Sequence, residues 1–504
     1  MTSGVRKPSV LIIGAGMSGV LTAIKLRQAG ITDITIIEKG DSVGGTWREN
    51  TYPGVSCDVP SHMYAYSFEP FVGWDARFAA GPQIRDYFRQ VADKYSVTPA
   101  IRFNESVTKA MFNNGRWDIT TSKADQFSVD FIVCATGILH HPAYPNIQGL
   151  EDFSGAAFHT ARWDHAVALE GKRVGIIGTG STACQVIPEL VKVADQVKVF
   201  QRTPQWIYPR PDADYSERYK RTLVRFPKLA SIIGRLWSVF YAQMFARAVI
   251  GKPLQLWITE KIVHRYLEQS VPDPELRKKL TPDYRIGCKR LVLSSDFLGA
   301  VQAPNCDLVT DAIDHIESEG VVTADGKRHD LDVLVLATGF KHFNFMRPME
   351  LIGKNGVDIN DAWRDQYVNY RSLTIPDFPN FFLMTGPNSP IGNFSVTMIA
   401  EVQVDYLIKV IQRWQQGAFD SIDPKPDAAQ RFLQEIKGAL GKTVWTGGCQ
   451  SWYLDQVGTP VLWPWTFERW VKEMREPQWA DYHLDRLATQ SNADSNPAPL
   501  SESA

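Results

Sequence analysis

Residues 10–19 read Val-Leu-Ile-Ile-Gly-Ala-Gly-Met-Ser-Gly, an apolar run followed by a GxGxxG pattern. The run predicts a buried strand, and the residues after Gly19 have the apolar spacing of a helix. In such a strand–turn–helix unit the glycines permit a tight turn and let the backbone approach the pyrophosphate of a dinucleotide. The loop therefore offers four candidate cofactor contacts: Gly14, Gly16, Ser18 and Gly19.

The pattern occurs a second time at residues 174–183, which read Val-Gly-Ile-Ile-Gly-Thr-Gly-Ser-Thr-Ala. Ala183 occupies the third glycine position, where a small residue still lets the helix pack on the strand. Further strand-like runs follow at residues 34–37 and 197–200. Because both copies have this full context, they predict an α/β fold with two Rossmann-like dinucleotide-binding domains. The candidate contacts of the second loop are Gly178, Gly180, Ser181, Thr182 and Ala183.

The two copies differ at the residue that follows the second strand. Counted equally from the first glycine, this position holds Glu38 in the first copy and Arg202 in the second. A carboxylate accepts hydrogen bonds from a ribose 2′-hydroxyl and repels a 2′-phosphate, whereas a guanidinium binds the phosphate. The first site is therefore predicted to hold FAD or NAD, and the second NADP. Thr203, beside Arg202, can donate its hydroxyl to the same phosphate.

Two more strand-like runs, residues 131–137 and 333–339, both end in Ala-Thr-Gly, one downstream of each glycine pattern. The chain thus has a repeated nucleotide-binding module, and the surplus in the second copy is rich in helix formers. A strand-like run at residues 381–386 indicates that the chain returns to the first domain. The predicted division is a first dinucleotide-binding domain of residues 1–143 and 344–489, an NADP-binding domain of residues 144–207 and 284–343, a helical insertion of residues 208–283 in the NADP domain, and a disordered tail of residues 490–504.

The overall composition argues against several classes of function. A formal net charge of −1 over 504 residues gives no general attraction to nucleic acid or anionic lipid. The six cysteines lack a CxxC pair and metal-ligand spacing. We therefore expect free thiols, no metal site and a reducing, cytoplasmic location. Residues 1–9 lack a long apolar run, so we expect no secretory signal.

The most apolar helical segment, residues 229–250, is not expected to span a membrane, because Arg235 and Arg247 interrupt it. Its large apolar side chains are compatible with a stripe at a membrane surface, but a buried helix face or the wall of a substrate channel is favoured. These side chains are Trp237, Phe240, Tyr241, Met244 and Phe245.

Residues 153–164 read Phe-Ser-Gly-Ala-Ala-Phe-His-Thr-Ala-Arg-Trp-Asp and fit the pattern FxGxxxHxxxW followed by Pro or Asp. Together with Gly-Gly-Thr-Trp at residues 44–47 and the two glycine patterns, this stretch resembles the type I Baeyer–Villiger monooxygenases. The resemblance extends from about residue 10 to residue 465. Related flavin-containing and N-hydroxylating monooxygenases usually lack the ending that Trp163 and Asp164 provide. The resemblance makes the first site an FAD site and the second an NADPH site.

The resemblance also implies a reaction. NADPH reduces FAD, O2 adds to give a C4a-peroxide, and its anion attacks a small-molecule ketone to give an ester or lactone. In the family an arginine holds the negative charge that develops on the carbonyl oxygen, and a carboxylate orients it. Arg290 and Asp58 match these positions. His159 matches a residue that couples the motion of the two domains, so a structural role is favoured over a catalytic one.

Further cofactor contacts are assigned by the same resemblance. On the FAD side they are Gly45, Thr46, Trp47, Asp58, Tyr64 and, through its backbone, Val107. On the NADP side they are Lys289, as a second contact to the 2′-phosphate, and Trp452, as a contact to the nicotinamide-side ribose. The implied partners are a ketone, with a sulfide also open, and O2. The expected assembly is a monomer or a weak homo-oligomer.

Three other functions stay open at this point. The same cofactors could oxygenate sulfur or nitrogen. A flavin reductase without oxygen insertion is a second alternative, although the CxxxxC pair of disulfide reductases is absent. A non-catalytic NADP-binding flavoprotein is the third, and the presence of Asp58, Lys289 and Arg290 argues against it. The loops at residues 386–393 and 458–461 differ from those of the cyclic-ketone relatives and are expected to line the substrate pocket, so the ketone is not assigned.

Overall fold

The computed structural model of this protein describes residues 5–449 and 451–486. The tail predicted at residues 490–504 lies outside the described residues. The strands, numbered in chain order, are β1 (Val10–Ile13), β2 (Ile34–Ile37), β3 (Ile101–Arg102), β4 (Val107–Asn113), β5 (Arg116–Thr121), β6 (Gln126–Val129), β7 (Phe131–Cys134), β8 (Ala156–His159), β9 (Arg173–Ile177), β10 (Gln196–Phe200), β11 (Ile207–Tyr208), β12 (Val292–Leu293), β13 (Cys306–Val309), β14 (Ile313–Glu317), β15 (Gly320–Thr323), β16 (Arg328–Asp330), β17 (Val333–Leu336), β18 (Glu350–Ile352), β19 (Phe381–Leu383), β20 (Ser421–Pro424) and β21 (Tyr482–Asp485).

The helices are α1 (Met17–Gln28), α2 (Thr46–Glu49), α3 (Gly81–Lys94), α4 (Ser181–Val193), α5 (Glu217–Arg225), α6 (Pro227–Gln243), α7 (Phe245–Val249), α8 (Pro253–Ser270), α9 (Pro274–Leu280), α10 (Phe297–Ala300), α11 (Ile359–Ala362), α12 (Val396–Gln415), α13 (Pro426–Leu440) and α14 (Phe467–Met474).

The first parallel sheet combines strands from distant parts of the chain, in the order β19-β7-β1-β2-β3. Val10 of β1 lies opposite Ile34 of β2 on one side and Phe131 of β7 on the other. β1 and β7 are buried throughout, as expected for strands that helices cover on both faces. The strand-like run at residues 381–386 thus enters the first sheet, at its edge beside β7.

The second parallel sheet repeats this arrangement, in the order β13-β10-β9-β17-β8. β9 pairs with β10 on one side and β17 on the other, as β1 pairs with β2 and β7. Antiparallel strands precede the last strand of each copy: β4 to β6 before β7, and β14 to β16 before β17. The prediction of an α/β fold with two Rossmann-like units is confirmed.

The first glycine of each pattern lies against the alanine carbonyl of the matching Ala-Thr-Gly. Gly14 and Gly178 have left-handed φ angles of +104° and +114°. A Cβ on Gly14 would lie 2.7 Å from the carbonyl oxygen of Ala135, and one on Gly178 would lie 2.5 Å from that of Ala337. Only glycine combines this backbone angle with this close approach. Each glycine pattern is accompanied by an Ala-Thr-Gly sequence because the two motifs are in direct contact.

Two linkers run side by side between the sheets. Pro142 and Phe340 form an antiparallel bridge. The Ala143 amide donates to the Gly339 carbonyl at 2.9 Å, and the Thr338 hydroxyl donates to the Ala143 carbonyl at 2.7 Å. These linkers lie near the domain boundaries predicted from the sequence, which themselves remain a prediction.

The helical insertion is confirmed and consists of α5 to α9. The parallel pair β11 and β12, with Ile207 opposite Val292, joins its two ends. The expectation that residues 229–250 form a buried face holds only in part. Tyr241 lies half-buried on the inner side of α6, whereas Phe240 is exposed on the outer side. Among the described residues, no helix combines the length and the apolar character needed to cross a membrane.

The expectation that all cysteines are free thiols is wrong for two of them. Cys288 and Cys449 form a disulfide across 161 residues. Their spacing could not indicate this pair, because only the folded chain brings such distant segments together. The free cysteines are Cys57, Cys134, Cys184 and Cys306. Within residues 5–449 and 451–486, no group of three or more His, Cys, Asp or Glu side chains is placed to hold a metal ion.

Reduction of the disulfide is expected to lower the melting temperature. A disulfide typically contributes about 2–4 kcal/mol to the free energy of unfolding, and the contribution increases with the length of the loop that it closes. Thermal unfolding with and without dithiothreitol measures the effect. Cys449→Ser should melt near the reduced wild type and should not respond to dithiothreitol, whereas Cys306→Ser should keep the full response. A wild-type melting temperature that dithiothreitol leaves unchanged would contradict the bond.

Candidate active site

Glu38 lies at the end of β2 with its carboxylate turned towards the glycine loop. The Ala15 amide donates to Oε2 at 2.8 Å, and the Gly40 amide and Arg48 Nη1 donate to Oε1 at 2.8 and 2.9 Å. A carboxylate has about four acceptor positions, so these three donors leave room for a ribose hydroxyl. The side chain is buried and fixed, which fits the role predicted for it.

The helices α1 and α4 both begin at a glycine and lack a side-chain cap. Their N-caps are Gly16 and Gly180, and neither helix has an acidic residue in its first turn. The first amides of a helix have no acceptor inside it and bind anions readily. A Cβ on Gly180 would meet no atom within 4 Å, so the space beside it is open. Both helix ends therefore fit a pyrophosphate.

The predicted FAD contacts lie around the first loop. Gly45, with a φ of +53°, approaches Gly16 so closely that a Cβ on Gly45 would lie 2.9 Å from the Gly16 Cα. Thr46 begins α2 directly after Gly45. Val107 begins β4 as a buried residue, two positions after Glu105, whose amide donates to the Glu38 carbonyl at 3.1 Å.

Two aromatic side chains connect this loop to the centre of the molecule. The Trp47 indole donates to the Tyr64 hydroxyl at 3.2 Å, and their ring centroids are 5.6 Å apart. Tyr64 is buried, and burial raises its pKa, with a smaller contribution in the same direction from the charge of Asp58. The two aromatic residues are therefore in direct contact, and the charge of Asp58 acts on Tyr64.

Arg202 and Lys289 form a second, cationic part of the site. Burial and then the positive charge of Arg202 lower the pKa of Lys289 below its ordinary value. Arg202 is exposed, and Thr203 is half-buried beside it. Neither Arg202 nor Lys289 forms an ion pair within the described residues. Two neighbouring cations that form no ion pair with a carboxylate suit a phosphate group. The residues thus fit the 2′-phosphate of NADP.

Two side chains from distant segments lie at the Arg290 guanidinium. Its Nη2 donates to the Asp58 carboxylate, and the Tyr453 hydroxyl lies beside its guanidinium. The charge of Asp58 raises the pKa of Arg290 above its ordinary value, against the opposing effect of burial. The guanidinium is therefore charged at every physiological pH. The structure brings the two predicted catalytic residues into direct contact.

Tyr453 is a site residue that sequence reasoning missed. It is buried, and a Cβ on Gly392 would lie 2.9 Å from its hydroxyl oxygen and 3.6 Å from Arg290 Nη1. Cys288 lies two residues before Arg290, and its disulfide bond to Cys449 joins this part of the chain to the segment that leads to Tyr453. The one indication in the sequence was that Tyr453 is next to Trp452, a predicted cofactor contact. Arg290, which explains the role of Tyr453, is remote in sequence.

An open cleft of about 330 Å³ lies beside this segment. Trp452 and Tyr453 line one side, and the ring centroids of Trp452 and His342 are 5.0 Å apart. Ile391 and Val461 also line the cleft, so the two loops expected around a substrate pocket both reach it. No direct contact joins Trp452 to Arg202 or Lys289 in the part of the chain that the structure describes.

His159 lies at the linkers and not beside Arg290. Its ring packs against Tyr144 at 5.5 Å and Phe340 at 5.9 Å, one residue from each linker. The Ala161 amide donates to its Nδ1 at 3.0 Å, and burial lowers its pKa to about 4. A neutral ring packed between both linkers supports the structural role that was favoured for this residue.

Comparisons with known proteins agree with this geometry. Residues 7–357 match the model of a family described as flavin-binding monooxygenase-like. An uncharacterized monooxygenase from Mycobacterium tuberculosis is 46% identical, with 91% of this chain and 92% of that protein covered. A Baeyer-Villiger monooxygenase from Streptomyces coelicolor is 38% identical, with 95% and 93% covered. The crystal structure of OTEMO in complex with FAD and NADP superposes with a TM-score of 0.85 at 27% identity, covering 95% of this chain and all of that one.

Replacement of Arg202 is expected to raise the KM for NADPH far more than the KM for NADH. A charge-assisted hydrogen bond to the 2′-phosphate is worth about 1.5–3 kcal/mol, which is a factor of roughly ten or more. Steady-state kinetics of Arg202→Ala with both nucleotides measures the difference. Lys192→Ala, an exposed cation on α4, is the control and should change neither KM. Equal effects on both nucleotides would show that Arg202 does not bind the phosphate.

The lowered pKa of Lys289 predicts a pH dependence of NADPH binding. Lys289 carries its charge below its pKa and loses it above, so the KM for NADPH should rise in the alkaline range earlier than an ordinary lysine would allow. Kinetics from neutral to alkaline pH measure the rise. The Lys289→Arg variant stays charged and should show a flatter rise of the KM for NADPH. The KM for NADH should rise little over the same pH range. An identical profile in the variant would exclude Lys289 as the titrating group.

Proposed function

We propose that this chain, which belongs to the flavin-binding monooxygenase-like family, is an FAD- and NADPH-dependent Baeyer–Villiger monooxygenase that converts a ketone to an ester or lactone. The observation that carries the proposal is the Arg290 guanidinium, which is paired with Asp58 and lies beside Tyr453, a residue that lines an open cleft. FAD, when bound and reduced by NADPH, supplies the activation of O2, and the remaining requirements fall on the protein.

Arg290 supplies fixed positive charge for the oxygen of the ketone. A guanidinium has five donors, and its bond to Asp58 leaves others free. Negative charge develops on the carbonyl oxygen during the reaction, and a preorganised donor stabilises it most where it grows. Asp58 and Tyr453 limit the rotation of the side chain, so the donors need no reorganisation. The arginine cannot lose its proton to the substrate, because its pKa is raised further by Asp58.

The other residues bind and orient the cofactors. Glu38 and the amides at the start of α1 would hold the adenosine and pyrophosphate of FAD. Arg202, Lys289 and the start of α4 would hold NADPH. Lys289 and Arg290 are adjacent in sequence, so the segment that binds the nicotinamide nucleotide also supplies the catalytic charge.

The proposed substrate is a ketone, and no particular ketone is assigned. Gly392 lies against Arg290 and Tyr453, so the loop at residues 386–393 would shape the space next to the carbonyl group. Oxidation of sulfides, the assembly as a monomer or weak homo-oligomer, and the cytoplasmic location also belong to the proposal. The disulfide Cys288–Cys449 removes part of the argument for that location, which rested on free thiols.

Arg290→Ala is expected to leave NADPH binding largely intact and to lower ester formation by at least about 10²–10³-fold, because an oxyanion-stabilising donor is lost. Product mass and NADPH consumption, measured together, separate oxygen insertion from mere oxidation of NADPH.

Tyr453→Phe is the graded comparison for this variant. It keeps the ring and removes the hydroxyl, so ester formation should fall by roughly tenfold, with little change in the KM for NADPH. Arg364→Ala, an exposed arginine elsewhere, is the control. Normal ester yield from Arg290→Ala would refute the catalytic assignment.

The activity itself is tested with a panel of linear, cyclic, aromatic and steroid ketones and one sulfide. Products are identified by mass after incubation with NADPH in air. A gain of one oxygen on a ketone supports the proposal. NADPH consumption without any oxygenated product would indicate an oxidase or reductase, and oxygenation of the sulfide alone would favour the S-oxygenating alternative.

A further inference from the structure

The outer face of α6 is apolar and exposed. Four of its side chains have the spacing i, i+4, i+7, i+8, which places them on one side of a helix, and each is more than half exposed: Ile232, Leu236, Val239 and Phe240. Of the fourteen large hydrophobic side chains exposed in the described residues, eight lie between residues 224 and 257. A concentration of this kind marks a surface that contacts a partner.

The same region carries a strong positive charge. Residues 217–270, from α5 to α8, contain ten Lys and Arg and three Asp and Glu, although the whole chain has a net charge of −1. Lys228 and Arg235 are both exposed and lie along one edge of the apolar stripe, given 3.6 residues per turn. Neither forms an ion pair within the described residues. These cations are free to bind an anionic partner.

The inner face of α6 packs on the segment that carries the catalytic carboxylate. Gly234 approaches it so closely that a Cβ there would lie 2.3 Å from the His62 carbonyl oxygen, four residues after Asp58. Tyr241 lies on the same side, and burial followed by the charge of Asp58 raises its pKa. The helix α6 thus lies between the exposed apolar face and the segment that carries Asp58.

We propose that the outer face of α6 docks on the surface of an anionic lipid bilayer. The apolar side chains Ile232, Leu236, Val239 and Phe240 enter the boundary between headgroups and acyl chains, while Lys228 and Arg235 bind lipid phosphates. A second copy of this chain is disfavoured as the occupant, because two such positively charged faces repel each other. Docking places the catalytic centre next to a phase that dissolves apolar ketones. That last consequence rests on the proposed function, whereas the docking does not.

Flotation of the full-length, FAD-loaded protein with vesicles tests the docking. We expect binding to phosphatidylcholine vesicles that contain phosphatidylglycerol, weak binding to phosphatidylcholine alone, and loss of most binding at high salt. The double variant Leu236→Ser, Phe240→Ser should bind the anionic vesicles at least about tenfold more weakly, because each buried side chain of this size contributes more than a factor of ten. Lys228→Gln with Arg235→Gln should weaken binding by roughly ten- to thirtyfold.

Matched controls change the same kinds of residue elsewhere. Val193→Ser removes an exposed apolar side chain at the end of α4, and Lys172→Gln with Lys327→Gln removes two exposed cations. Neither control should alter vesicle binding. All variants should oxidise a water-soluble ketone at the wild-type rate, because the changed side chains do not face the site.

The outcomes are distinguishable. Absence of wild-type binding to the anionic vesicles, or equal binding by the α6 variants, overturns the docking. A wild-type dimer in sedimentation experiments that Leu236→Ser, Phe240→Ser dissociates overturns it in favour of contact between two copies. If no protein forms an ester but vesicle binding behaves as expected, the proposed function fails and the docking stands.

Discussion

The contact between Arg290 and Asp58 is the constraint on which the site depends. A half-buried guanidinium has to be paired, because an uncompensated charge away from water is costly. Asp58 follows the first glycine module, whereas Arg290 follows the helical insertion in the second. Their bond therefore requires the two modules to face each other. Tyr453, from a third segment, lies beside the same guanidinium.

The two modules have the same backbone arrangement at the glycine loop and differ at one side chain. In both, the first glycine packs on the carbonyl of the alanine that directly follows the neighbouring strand. In both, an uncapped helix begins at the second glycine. Glu38 is buried among backbone donors, whereas Arg202 is exposed next to Lys289. The shared parts bind a pyrophosphate, and the differing residue selects the cofactor through the sign of its charge.

The helical insertion connects the site to the outside of the molecule. The inner side of α6 rests on the segment after Asp58, at a glycine that permits backbone contact with His62. Its outer side is apolar and bordered by cations. The near-zero net charge of the whole chain does not reveal the local excess of Lys and Arg in the insertion, because this positive charge is offset elsewhere in the chain. Composition averaged over a chain therefore does not exclude a charged surface on one element.

The sequence by itself determined the two dinucleotide modules, the charge that separates Glu38 from Arg202, and the helical insertion. These features depend on strand and helix periodicity and on glycine positions, which act over a few tens of residues and are visible without a fold. The tertiary structure alone decided that Tyr453 lies beside Arg290, that Cys288 bonds Cys449, and which face of α6 is exposed. The physical reason is that each of these depends on contacts between segments more than a hundred residues apart, or on which helix face other segments cover, and neither leaves a local periodic pattern.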